Sequence, residues 1–246
     1  MKSVILILLF PFFLLATPTP IRNNNRIAQI FTTVNGLPDN TINDIQKDKE
    51  GYLWIATNKG VARFDGKNFI SFSKNTHPLF FDDNLVNEIQ IDGNTIYLIS
   101  NKFGVKLLDR ASLKIKSYIN DHVRSFAIKN NHQLVLKTNG DLESYTHLKL
   151  ERKKSYAKYD PKSAIYYGNS IYILSQGKGI IKSKNTTLQA ELIIPGDSIY
   201  MYGRLMLSKK MGLVYASGNK VYMLQKDRFV YHPLLQDKIG ITNYFE

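Results

Sequence analysis

The sequence has few side chains at spacings that support catalysis or metal binding. It contains no cysteine, which excludes disulfides and every cysteine-ligated metal site. The G-x-S-x-G segment that places a hydrolase serine is absent. The histidines stand singly, without a second ligand at metal-site spacing: His77, His122, His132, His147 and His232. We therefore expect no catalytic residue, no metal and no cofactor.

Two glycine-containing segments resemble ligand loops only in part. Gly177-Lys178-Gly179 lacks the second Gly-Lys-Ser/Thr element of a phosphate loop, and a glycine turn between strands explains it better. The run from Asp48 to Gly51 lacks the spacing and the closing Glu of a calcium loop. It is typical of a charged hairpin turn. Neither segment predicts a ligand site.

Four lysines follow apolar segments at comparable places along the chain: Lys59, Lys102, Lys178 and Lys220. If their turns are structurally equivalent, the lysines lie on one face of the molecule, beside a lead-in loop that contains Asp39 and Asn40. Such a broken ring of positive charge favours an anionic sugar or a carboxylate as ligand. Lysine is also common in solvated turns, and this alternative stays open.

The segments that carry these lysines form a repeat. Residues 42–72 consist of four short strand-like segments, with a charged turn ending in Gly51, a strand that contains Trp54, and a turn ending in Gly60. Similar units follow within residues 37–240, at about 85–118, 123–150, 164–192 and 206–231. The equivalent positions are expected at steps of 43, 38, 37 and 43 residues: Trp54, Tyr97, Val135, Tyr172 and Tyr215.

A period of about 40 residues with four strands in each unit predicts an all-β β-propeller of four-stranded antiparallel blades. The 15 Tyr and 13 Phe fit such a strand-rich chain. Because blades stack face to face, the large residues of the second strands should fill the space between blades. We assign this structural role to Trp54, Tyr97, Tyr172 and Tyr215. Gly51 and Gly60 should supply the positive φ of tight turns.

The two ends of the chain differ from the repeat. Lys2 precedes an apolar run from Val4 to Leu15, which predicts a signal peptide over residues 1–17 and export to the periplasm. Residues 18–36 contain a segment expected to be an outer strand that closes the ring of blades. Residues 241–246 match the first strand of a blade, which predicts a sixth blade and a longer or truncated parent protein.

The formal charge of +13 would suggest nucleic acid as partner in a cytosolic protein. An exported chain seldom meets nucleic acid, and the lysines are scattered rather than clustered. An anionic glycan, another small anionic ligand or the outer lipid surface is the expected counterpart. A basic surface without a specific partner is the alternative.

Residues 36–73 resemble the two-component regulator propeller repeat of bacterial sensor proteins. The resemblance depends on Gly36-Leu37-Pro38, Asn40 with Ile42, Asp48 through Gly51, Leu53-Trp54-Ile55, Thr57, and Gly60-Val61 with Arg63 to Gly66. In the later units no second Trp occurs and the Asp-x-x-Gly turn is eroded.

The resemblance implies a non-catalytic periplasmic sensing domain, followed in a longer parent by a membrane span and a histidine kinase or regulator, with a dimer as one arrangement. Any kinase activity would lie beyond Glu246. An exported scaffold that binds partner proteins or serves secretion, without signalling, is the alternative.

Overall fold

The computed structural model describes residues 29–77, 85–176, 178–194, 203–217 and 220–233. The chain divides into two compact units, residues 1–30 and 31–246, and the architecture below belongs to the second. Signal peptide residues 1–17 and the predicted sixth-blade residues 241–246 lie outside the described residues. Within the described part, no helix is both long and apolar enough to span a bilayer.

Five four-stranded antiparallel sheets follow one another along the chain, and in each the strands are hydrogen-bonded in sequence order. This confirms the predicted β-propeller of four-stranded blades. Blade 1 has β1 (Ile42–Lys47), β2 (Leu53–Thr57), β3 (Gly60–Phe64) and β4 (Phe69–Phe72). Blade 2 has β5 (Glu88–Asp92), β6 (Thr95–Ser100), β7 (Gly104–Asp109) and β8 (Ile115–Ile119). Blade 3 has β9 (Val123–Lys129), β10 (His132–Lys137), β11 (Asp141–Thr146) and β12 (Lys149–Ser155). Blade 4 has β13 (Pro161–Tyr167), β14 (Ser170–Ser175), β15 (Gly179–Lys184) and β16 (Ala190–Ile194). Blade 5 has β17 (Arg204–Ser208), β18 (Gly212–Ser217), β19 (Lys220–Gln225) and β20 (Arg228–Tyr231).

The largest difference from the expected strand bounds is in blade 3, which was predicted to end at residue 150. Strand β12 continues to Ser155, and a 3-10 helix follows at Ala157–Tyr159. Every residue of β12 is exposed, and most of them are charged. The apolar alternation by which strands are recognised is therefore missing from this segment.

The predicted outer strand in residues 18–36 is not found in the part that the structure describes. A 3-10 helix occupies Thr33–Asn35 instead. The Thr32 hydroxyl accepts a hydrogen bond from the backbone of Val34, and the Asn35 carboxamide accepts one from the backbone of Thr32. Such local bonds compete with strand pairing. The segment before residue 29 lies outside the described residues.

The region around this helix covers one face of blade 1. The Phe31 ring lies 4.9 Å from the Phe64 ring and 5.4 Å from the Phe69 ring, centroid to centroid. Leu37 is buried in the same cluster, against Ile55. Blade 1 therefore buries this face without a blade in front of it among the described residues.

In blades 1 to 4 the opposite face packs on the next blade. Trp54 lies between blades 1 and 2, in one cluster with Ile89 and Ile96. Tyr97 lies between blades 2 and 3, and Tyr172 between blades 4 and 5. These aromatic side chains fill the spaces between sheets, as stacked blades require.

In blades 3 and 5 the residues predicted to be equivalent to Trp54, which were Val135 and Tyr215, were each wrong by one position. The turn pairs Thr57 with Gly60 in blade 1 and Ser217 with Lys220 in blade 5, which places Val214 at the position of Trp54. Tyr215 faces back to blade 4, where it packs against Tyr172. In the same way Val135 faces blade 2, and Leu134 is the equivalent of Trp54.

A one-residue shift along a strand reverses the face to which a side chain points. The corrected steps, from Trp54 through Tyr97, Leu134, Tyr172 and Val214, are 43, 37, 38 and 42 residues. Tyr215 is fully buried all the same, because both faces of a second strand are covered.

Candidate functional site

The turns between second and third strands lie at one end of the blades, which we call the turn face. The turn of blade 1 carries Lys59, whose Nζ lies 3.1 Å from Oδ2 of Asp39. Oδ1 of Asp39 accepts a hydrogen bond of 2.8 Å from the backbone of Thr41. That bond and the lysine lower the pKa of Asp39 below its ordinary value. The lead-in loop therefore neutralises one of the four lysines.

The other three lysines have no carboxylate within ion-pair distance among the described residues. Lys102 is exposed, with its ammonium 5.0 Å from the centre of the Phe103 ring. Lys178 is exposed and Lys220 is half-buried. The predicted rim is thus a set of separate lysines on one face, with no lysine at the corresponding turn of blade 3. The side chain of Asn40 serves the fold, because its Oδ1 accepts a hydrogen bond of 2.9 Å from the backbone of Thr33.

In blade 3 an arginine takes the place of the rim lysine. The Arg124 guanidinium donates a hydrogen bond of 3.2 Å to the carbonyl of Thr138, in the turn between β10 and β11. It also lies 3.8 Å from Oδ1 of Asp160. Positive charge therefore continues across this blade, although an acid partly compensates for it.

The first strands carry a second set of polar residues, at one register position in all five blades. Each pairs with the residue before the last of its second strand: Ala56, Ile99, Leu136, Leu174 and Ala216. We call this set the inner layer: Asp44, Glu88, Ser125, Ser163 and Arg204. Sequence reasoning missed it because the five residues differ in type. In blades 2 to 5 the only signal is a polar residue directly before a buried apolar one, and in blade 1 Asp44 precedes the exposed Ile45 instead.

The inner layer joins neighbouring blades through hydrogen bonds. Oδ2 of Asp44 accepts a bond of 2.8 Å from the backbone of Ile89 in blade 2. The Ser125 hydroxyl donates to the carbonyl of Ala164 at 3.3 Å and accepts from its amide at 3.2 Å. Gln90 donates at 2.7 Å both to Glu88 and to the carbonyl of Phe126 in blade 3.

Glu88 is an acid of the layer whose pKa is shifted. Burial raises its pKa above the ordinary value, an effect that Gln90 and the charge of Arg204 partly offset. Asp44 contributes a further, smaller increase. Since Arg204 belongs to blade 5 and Glu88 to blade 2, charges from distant blades interact across the inner layer. The Ser163 hydroxyl is buried there, without a hydrogen-bond partner among the described residues.

The layer thus offers two carboxylates, two hydroxyls and a guanidinium, which suit polar binding. Across the described ranges, no three His, Asp or Glu residues are grouped closely enough to hold a metal ion.

The turn between β1 and β2 fixes the side chain of Trp54. It is fully buried, and its indole N–H donates a hydrogen bond of 2.9 Å to Oδ2 of Asp48. Oδ1 of Asp48 accepts bonds of 3.0 Å from the backbones of Glu50 and Tyr52. The Arg110 guanidinium of blade 2 contacts Glu50 and lies 3.8 Å from Asp48. This ion cluster ties blade 1 to blade 2 at the end opposite the turn face.

Of the other predicted structural residues, Tyr97 and Tyr172 are buried between blades. Gly51 and Gly60 both have positive φ, of 96° and 127°.

Residues 36–59 match the model of the two component regulator propeller. Over 73 residues, 30% of this chain, the sequence is 36% identical to histidine kinase P4 of Formosa agariphila. The chain covers only 5% of the length of that relative.

Solved structures resemble this chain over most of its length. PorZ, an essential bacterial surface component of the type-IX secretion system of Porphyromonas gingivalis, superposes with a TM-score of 0.65 at 21% identity, over 83% of this chain and 29% of PorZ. The extracellular domain of a proposed hybrid two component system of B. thetaiotaomicron gives 0.66 at 17% identity, over 84% and 31%. A second such domain gives 0.61 at 16%, over 78% and 27%. The chain is therefore a β-propeller whose first blade carries a two component regulator propeller repeat.

Proposed function

We propose that this chain is a non-catalytic ligand-sensing domain that acts in the periplasm as part of a two-component signalling protein. The observation that carries the proposal is the regulator propeller repeat at residues 36–59, on a fold shared with extracellular domains of hybrid two component systems. Export is supported by the apolar run near the N-terminus and by the extracellular setting of those neighbours.

The ligand class that we propose is an anionic glycan or a similar small anion, bound at the turn face. The separate cations Lys102, Lys178 and Lys220 support it, because cations that lie on one face attract anions from solution. Downstream kinase or regulator domains, encoded in a longer parent, would receive the signal, with a parental dimer as one possible arrangement. Nucleic acid has no place in this proposal.

The test is a calorimetric titration of the purified chain with an oligomer of galacturonic acid. The double variant Lys102→Glu/Lys178→Glu should bind the oligomer at least tenfold more weakly, since two attractive contacts become repulsive. The matched control, Lys67→Glu/Lys116→Glu, makes the same change in net charge at exposed lysines away from the turn face. Equal weakening in both double variants would mean that only net charge matters, and the proposed site would be wrong.

A second function, an exported scaffold that serves secretion, is favoured by the likeness to PorZ. This function needs a protein partner and no small ligand. If no anionic oligomer binds, while the chain crosslinks in cells to a defined export component, the scaffold is the better proposal.

A further inference from the structure

A groove opens between blades 3 and 4 at the end of the blades opposite the turn face. Its volume is about 170 Å³. The turn between β9 and β10 and two turns of blade 4 form its walls. The side chains that matter below are Lys129, Asn130, His132, Tyr166, Asn169 and Asn185.

The groove lies at a position between blades 3 and 4 that is equivalent to the position of the ion cluster between blades 1 and 2. That cluster consists of Asp48, Glu50 and Arg110. The turn after β7 and the turn after β15 have the same hydrogen bonds, from Asp109 to Lys114 and from Lys184 to Gln189. In this alignment Asn185 stands where Arg110 stands. A shorter side chain therefore leaves empty the space that the guanidinium of Arg110 fills in blade 2.

The facing turn differs as well. In blade 1 the first strand is followed by the five-residue turn from Asp48 to Tyr52. In blade 3 Lys129 pairs directly with His132 across the two-residue turn Asn130-Asn131. Lys129 thus stands where Asp48 stands. In their ion cluster, blades 1 and 2 supply both the carboxylates and the cation, whereas the described residues that line the groove supply a cation and no carboxylate.

The chemistry of the lining defines what is missing. No carboxylate is among the described residues that form the groove. Lys129 uses one ammonium hydrogen on the carbonyl of Gly168, which leaves two donors. Nδ1 of His132 is 2.8 Å from the Thr146 hydroxyl, so Nε2 is the ring nitrogen left for a ligand. The three asparagines each add a donor and an acceptor, which suits hydroxyl groups.

Tyr166 forms part of the groove lining. Tyr166 is buried there, and burial raises its pKa to about 12, so that its phenol stays neutral at physiological pH. Nearby on β12, Glu151 and Arg152 pair with each other at 3.3 Å. Among the described residues that line the groove, Lys129 is the one with a fixed charge.

We propose that the groove between blades 3 and 4 binds a small carboxylate that also carries hydroxyl groups. The ligand carboxylate takes the place that Asp48 and Glu50 occupy in the contact between blades 1 and 2, with Lys129 as its cation. The carboxamides of Asn130, Asn169 and Asn185 hold the hydroxyl groups. This site goes beyond the proposed function, since it lies at the other end of the blades from the lysine rim.

The test is an NMR titration of the isotope-labelled full chain with D-glucuronate, and with D-glucose as the neutral analogue. Glucuronate should shift the amide signals of Asn130, Asn169 and Asn185 in a saturable way, and glucose should bind at least tenfold more weakly. The rim variant Lys102→Glu/Lys178→Glu should keep these shifts, so that failure at the rim and failure at the groove are distinguishable.

Two variants check the assignment. Asn169→Asp is nearly isosteric and places a negative charge in the groove, so glucuronate binding should fall at least tenfold. The control Asn68→Asp makes the same change in an exposed turn of blade 1 and should leave binding unchanged. The pair Lys129→Asp/Asn185→Arg rebuilds the cluster of blades 1 and 2 and should abolish binding in a folded protein. Equal binding of glucose, equal loss in both asparagine variants, or shifts outside the groove would each overturn the proposal.

Discussion

At the scale of single residues, Glu88 links the inner layer to pH. Its raised pKa means that the folded protein binds this proton more readily than the unfolded chain. The stabilisation is fully present below the ordinary pKa of 4.5 and is lost as the pH rises through the higher value of the folded state. The charged groups that face Glu88 are Asp44 and Arg204.

The variant Glu88→Gln should remove this contribution. Between pH 4.5 and neutrality, the free energy of unfolding of the wild type should fall relative to that of the variant. Urea denaturation followed by circular dichroism at a series of pH values measures the difference. A difference that is constant over this range would show that Glu88 ionises as it does in the unfolded chain.

Trp54 is the largest side chain in the buried contact between blades 1 and 2. Trp54→Ala should lower the free energy of unfolding by about 3 to 5 kcal/mol, because it removes a fully buried ring and leaves a cavity. Trp54→Phe keeps most of the ring but leaves Asp48 without its indole donor, at a cost of about 1 to 3 kcal/mol. Denaturation by circular dichroism tests both variants, and a loss below about 1 kcal/mol for the alanine variant would contradict the packing described here.

At the scale of elements, the turns of blade 1 separate two requirements for glycine. Both Gly51 and Gly60 have positive φ, but a Cβ on Gly51 would meet no atom within 4 Å. A Cβ on Gly60 would overlap the carbonyl oxygen of Phe72 on the outer strand. Only the second position therefore combines backbone strain with a steric clash.

The two alanine variants should differ accordingly. Gly51→Ala should destabilise the protein by about 1 to 2 kcal/mol, the cost of left-handed backbone for a residue with a side chain. Gly60→Ala should cost roughly 1 to 3 kcal/mol more, because β4 must move. Thermal unfolding compares them, and equal losses would mean that β4 adapts freely.

Sequence patterns predicted the elements well where turns and apolar alternation are regular. The turns at Gly51 and Gly60 and the second strands of all five blades are examples. The register of the second strands in blades 3 and 5 could not be predicted from such patterns. In blade 5 the aromatic Tyr215 was predicted as the equivalent of the aromatic Trp54, but Val214 holds that position. Burial on both faces of a second strand removes the signal that distinguishes neighbouring residues.

The candidate sites were predictable only in part. The lysines lie on one face as the repeat implied, but the pairing of Lys59 with Asp39 depends on the course of the lead-in loop. The inner layer has no common residue type, and the groove exists because Asn185 is shorter than Arg110. A cavity that results from a shorter side chain has no sequence motif by which it could be predicted.

At the scale of the whole molecule, we propose that this propeller binds an anionic ligand at the turn face. Hydrogen bonds between blades and buried aromatic rings connect neighbouring blades, so a ligand that contacts several blades would act on sheets that pack on one another. A ligand bound at this face would then connect residues that are far apart in sequence.

The most direct test is an NMR titration of the labelled chain with an oligomer of galacturonic acid. We expect saturable shifts at the turns of the turn face, around Lys59, Lys102 and Lys178, and these shifts should weaken in the variant Lys102→Glu/Lys178→Glu. Shifts spread evenly over the exposed lysines, or no saturable shift at all, would contradict it.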